Sequence, residues 1–76
     1  LPRLVCTFRR FLEIIEDHGF VLHRSGATSH RRYRGVIDGE VRFVDFAAHN
    51  LSDEIKLGTL KSMIRQSGLN QKLFRN

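Results

Sequence analysis

One histidine in this chain stands among arginines. His30 is followed by Arg31, Arg32 and Arg34 and preceded by Arg24, and no acidic residue falls between positions 24 and 34. Imidazole gains and loses a proton near neutral pH. The planar guanidinium suits phosphate bidentately. Together they suit chemistry on a phosphodiester. RNA demands least, because its 2′-hydroxyl is an internal nucleophile. The protein then supplies a proton acceptor or donor and cations for the charge that develops at phosphorus. Spacing alone leaves three readings open: a catalytic His30, a nucleic-acid contact without catalysis, and a solvated basic hairpin with no partner.

Other constellations are weaker. The histidines (18, 23, 30, 49) and Cys6 form no CxxC or HxxxH set, so no metal site and no cofactor is expected. There is no phosphate-cradling glycine loop and no GxSxG. Ser29 beside His30 is no dyad, because strand neighbours point to opposite faces. Asp53-Glu54 reads as solvated loop. His18 and His23 carry no assigned role, and His49 is read as a strand-end histidine. Cys6 is read as a small buried hydrophobe rather than a nucleophile.

Composition bounds what can carry such chemistry. Seventy-six residues, 41% hydrophobic and 28% charged, describe one globular domain, residues 1–76, too small for a deep cleft or a dinucleotide-binding unit. Thirteen Lys/Arg against eight Asp/Glu give +5, and ten of the thirteen are arginine. The cluster at positions 24–34 supplies four of those charges, so the excess is local. No apolar run approaches the ~18 residues of a membrane span. Leu1–Cys6 is not read as a signal peptide. A lone cysteine makes no internal disulfide, and a reduced, cytoplasmic compartment is expected.

The elements that must position His30 follow from periodicity. Phe8, Phe11, Leu12 and Ile15 mark one face of a helix from about Thr7 to His18. Thr7 is its N-cap and Gly19-Phe20 its glycine–apolar C-cap. Phe20–His23 reads as a short strand, and Ser25–Ser29 as a loop. His30–Ile37 and Glu40–Ala47 read as strands joined by Asp38-Gly39, a two-residue hairpin signal. That turn implies pairs such as Arg32 with Asp45, Tyr33 with Val44 and His30 with Ala47. One face then holds Tyr33, Ile37, Val44 and Phe46, the core side. The other holds His30, Arg32, Arg34 and Asp45. A second helix, about Gly58–Ser67, shows Leu57, Leu60 and Ile64 as its stripe with Met63 at the margin. It ends at Gly68-Leu69, and Asn70 caps a last turn carrying Leu73 and Phe74. The expected class is α+β: α-β-β-β-α in two layers, two helices on one face of a three-stranded antiparallel sheet.

Several blocks, taken in order, carry a resemblance. Gly19-Phe20, Arg24 through Ser29-His30, His49, Leu57-Gly58-Thr59-Leu60 and Ile64-Arg65-Gln66-Ser67-Gly68-Leu69 resemble the HicA family of type II toxin–antitoxin mRNA interferases. The resemblance runs from about Arg9 to Phe74. It departs at Ser25 and Thr28, and at Asp45–Ala48, where family members often have a proline. It implies a double-stranded-RNA-binding-domain-like fold. It further implies cleavage of mRNA without metal or cofactor, inhibition of translation, and silencing by a HicB antitoxin. The family's catalytic histidine falls on His30. With that, His30 is expected to act as general acid/base, Arg32 and Arg34 to hold phosphate, and Arg24 and Arg31 to touch RNA at the periphery. Gly26 and Ser29 would shape the loop before His30. A non-catalytic double-stranded-RNA-binding module is the alternative. No membrane or small-molecule partner is implied.

Overall fold

The computed structural model describes residues 3–25 and 30–75. Gly26 and Ser29, the expected loop residues, lie outside them. The element order is α1 (Phe8–Asp17), β1 (Val21–Ser25), β2 (His30–Ile37), β3 (Glu40–Ala47), α2 (Leu57–Ser67) and a final 3₁₀ turn, Gln71–Phe74. This is the α-β-β-β-α arrangement read from the sequence, an α+β fold with one antiparallel sheet of order β1-β2-β3.

The first turn of α1 is closed by several acceptors. Thr7 is extended, and its Oγ1 accepts the Arg10 N–H at 3.2 Å. The Phe8 and Arg9 N–H groups donate to the carbonyls of Asp53 and Leu51 at 3.0 and 2.9 Å. The segment between β3 and α2 thus fastens the start of the chain to its middle. The helix ends in a Schellman arrangement: Gly19 N–H to the Glu16 carbonyl and Phe20 N–H to the Ile15 carbonyl, both 3.0 Å. Phe20 is thereby turned into the core.

The β2–β3 hairpin pairs as its turn requires, from Ile37 with Glu40 out to His30 with Ala47. Asp38 and Gly39 take φ of 53° and 81°, the two positive values of a type I′ turn. The core lies between the sheet and the helices. Tyr33, Val44 and Phe46 bury from the sheet, and Phe11, Ile14, Ile15, Leu60, Met63, Ile64 and Phe74 from the other layer. Phe11 stacks on Phe74 with centroids 5.0 Å apart, and Tyr33 meets Phe46 edge-on at 5.9 Å.

Two expected stripes shift. In α1, Ile14 is buried while Phe8 and Leu12 lie at the margin. In α2, Met63 is buried and Leu57 is 53% exposed. A helical side chain leans toward the N-terminus, so a first-turn residue overhangs the end of the layer it would pack on. The α2 stripe runs Leu60, Met63, Ile64, Ser67. Ser67 is fully buried and relays the C-cap: its hydroxyl donates to the Ile64 carbonyl at 2.6 Å and accepts the Leu69 N–H at 3.1 Å. β1 runs two residues beyond the expected strand.

Gly35 is a close-approach glycine. A Cβ there would lie 2.7 Å from ring carbons of Phe20. Gly35→Ala is therefore expected to cost about 1–3 kcal/mol in urea unfolding. Combined with Phe20→Leu, it should cost less than the sum of the two single changes. Full additivity would remove the contact as the cause.

Cys6 is 2% exposed. Burial pushes its thiol above the ordinary range, and the Arg10 charge offsets part of that. The folded chain then keeps this proton at pH values where the unfolded chain loses it. That stabilising contribution is whole below the ordinary thiol range and fades as pH rises toward the raised value. Wild type should lose stability over that alkaline window more steeply than Cys6→Ala, as read by urea midpoints at stepped pH. Equal slopes would refute the assignment.

Candidate functional site

The hairpin register places His30, Arg32 and Arg34 with Asp45 and Phe43 on the sheet face away from the core. His30 opens β2 and is exposed. Arg31 is paired with Phe46, so alternation turns it toward the other side of the sheet at the same end. Arg24 reaches the open face through an irregularity. Val21 pairs with Arg34 and Leu22 with Tyr33, but the next pairs are Arg24 with Arg32 and Ser25 with Arg31. His23 is the extra residue of a β-bulge. Strict alternation from Leu22 would have set Arg24 beside Arg31, on the opposite side. The bulge brings it across from Arg32.

A shallow cleft of about 310 Å³ is lined by Arg24, His30, Arg31, Arg32 and Asp45. Three arginines, one histidine and one aspartate therefore border it. Arg34 is exposed on the same face but outside this lining, between Val21 and Phe43. His49 is also separate, beside Arg31, Phe46, Ala48 and Leu51 in a smaller hollow. His18 Nδ1 lies 2.7 Å from the Ile14 carbonyl, and His18 lines a different hollow with Val36, Ile37 and Asp38.

Arg32 is held from two sides. Its Nε lies 3.9 Å from Asp45 Oδ1, and its guanidinium carbon sits 4.6 Å from the centroid of the Phe43 ring. The ion pair is long and its partners are exposed, so it contributes no more than about 1 kcal/mol. The cation–π contact adds roughly 0.5–1 kcal/mol. These contacts orient the guanidinium without neutralising it. Its Nε is shielded from solvent and has no hydrogen-bond partner among the described residues. Asp45 is steadied through its backbone: its N–H donates to Gln66 Oε1 at 3.0 Å. The end of α2 thus props the edge of the sheet beneath the cleft.

Phe43 and His23 escaped the sequence reading. The register alone puts Phe43 opposite Arg34, on the open face, so the first could have been found. His23 needs the bulge, which no residue of β1 announces. Its ring meets Phe43 at 5.3 Å and 63°. Val21, Val36 and Val41 stand about half exposed on the same face, away from the cleft.

These features define a small two-layer α+β domain whose sheet face away from the helices offers arginine and histidine together. A family model described as HicA toxin of bacterial toxin–antitoxin matches residues 8–69, most of the chain. The chain belongs to that family, whose members are the toxin partners in toxin–antitoxin pairs. The comparison with curated proteins gives no match, nor does the comparison with solved structures. Among the described residues no helix is long and apolar enough to cross a membrane.

Arg24 opposite Arg32 is a like-charge cross-strand pair, which weakens the sheet by a few tenths of a kcal/mol. Arg24→Gln should stabilise the protein by about that amount at low salt, and the gain should vanish as salt screens the pair. Thermal melts at two ionic strengths measure it. A salt-independent effect would rule out repulsion.

Proposed function

We propose that this chain is an endoribonuclease toxin that cleaves mRNA in the cytoplasm and so inhibits translation, with His30 as general acid/base. The observation carrying this reading is that His30, an exposed residue, lines one cleft with Arg24, Arg31 and Arg32. Family membership supports it. In the proposed step His30 takes the proton of a 2′-hydroxyl, and that oxygen attacks the adjacent phosphorus. The bond to the 5′-oxygen breaks, the leaving oxygen takes a proton from solvent, and the products are a 2′,3′-cyclic phosphate and a 5′-hydroxyl. Arg24 and Arg32 hold the phosphate and its developing charge, Arg31 steadies the strand at the cleft end, and Arg34 touches the backbone beyond it. Gly26 and Ser29 retain their proposed part in shaping the approach to His30. The step uses no metal and no cofactor. A HicB-type antitoxin, acidic where it docks, would silence the toxin by covering the same face.

Purified protein incubated with RNA tests this directly. Cleavage should persist in EDTA, end in cyclic phosphate, and fall by about 10²–10⁴-fold in His30→Ala, with RNA binding retained. Loss of cleavage on chelation rejects the metal-free step. Unchanged cleavage by His30→Ala rejects the site. Salt-sensitive duplex binding with no new RNA ends would favour the double-stranded-RNA-binding alternative.

A further inference from the structure

We propose that Phe43, His23 and Arg32 form a nucleobase subsite next to the cleft, on which an unpaired base of the substrate stacks; the inference rests on the ribonuclease reading above and narrows its substrate to single-stranded RNA. Phe43 sits on the sheet face away from the helices, opposite Arg34, whereas Phe46, three residues on in β3, is 2% exposed in the core. An aromatic ring on a solvated face gains nothing from the core. Its contacts are instead with two planar polar groups, the His23 ring at 5.3 Å and the Arg32 guanidinium at 4.6 Å. Phenyl, imidazole and guanidinium planes are the groups on which unstacked bases settle.

Position links this shelf to the proposed chemistry. Arg32 belongs both to the shelf and to the cleft containing His30. Phe43 lies two residues before Asp45 on the same face of β3, a step of about 7 Å along the strand. A phosphate at Arg24 and Arg32 therefore leaves a neighbouring base within reach of Phe43. The bulge at His23 serves both ends, aligning Arg24 with the cleft and His23 with Phe43. A duplex keeps its base faces stacked inside and presents its backbone, so it has no use for an aromatic shelf. A single strand has unpaired bases to place there.

The test uses the full chain carrying His30→Ala, so that RNA is bound and not cut. The probes are a short single-stranded RNA with 2-aminopurine at successive positions and the duplex of the same sequence. Expected are quenching of 2-aminopurine at one position, weaker duplex binding, and a loss of single-strand affinity of about 5- to 150-fold in Phe43→Leu, the range for one stacked base. Phe43→Tyr should restore it, and His23→Leu, at an exposed position, should weaken it several-fold. Unchanged affinity in both Phe43→Leu and His23→Leu, or duplex bound as tightly as single strand, would overturn the subsite. The two proposals fail separately. If cleavage requires His30 while the shelf variants bind like wild type, the subsite falls and the ribonuclease reading stands. If the shelf variants weaken binding while His30→Ala cuts like wild type, the catalytic assignment falls and the subsite stands.

Discussion

The constraint on which the rest depends is the register of β2 against β3. Asp38 and Gly39 close a turn with positive φ at both positions, and every later pair follows from it. A slip of one residue would send Tyr33 to solvent and His30, Arg32 and Arg34 toward the core. The alternation that buries Tyr33, Val44 and Phe46 therefore also exposes the residues of the cleft. Burial of one face and presentation of the other are a single outcome of a single turn.

The two faces are stabilised differently. On the core side, aromatic rings and branched side chains from both layers pack closely, down to Gly35, where the Phe20 ring leaves no room for a Cβ. On the open side, contacts are long or partial. Arg32 and Asp45 are 3.9 Å apart, Arg24 opposes Arg32, and a phenylalanine stays outside the core. Such a face adds little to the stability of the domain alone. It suits an anion or a partner, which would supply the missing charge and cover the exposed apolar atoms. The end of α2 links the two sides, since Ser67 seals its C-cap within the core and Gln66 reaches the backbone of Asp45 at the edge of the sheet.

Much of the fold was legible because the signals were local. Thr7, Gly19-Phe20, Asp38-Gly39 and Asn70 each act through hydrogen bonds or dihedrals within a few residues of themselves, and each behaves as read. Tyr33 and Cys6 are buried as their patterns indicated. The choice of Leu57 over Met63 failed because helical periodicity names a stripe but not where the covering layer ends. The extension of β1 and its bulge were hidden for a related reason. Both depend on how a short edge strand meets β2, and no two-residue turn joins these strands to fix their register as Asp38-Gly39 does for β2 and β3.

For the candidate site the division is similar. The charge cluster, the hairpin register and hence the shared side of His30, Arg32, Arg34 and Asp45 follow from residue order alone, because a two-residue turn carries its consequences outward by simple alternation. Folding adds that Arg24 joins Arg32, that Arg34 stands outside the cleft, and that His23 leans on Phe43. The placements of Arg24 and His23 turn on one extra residue in β1, and a bulge is set by the fit between strands brought together in space, which no local propensity encodes.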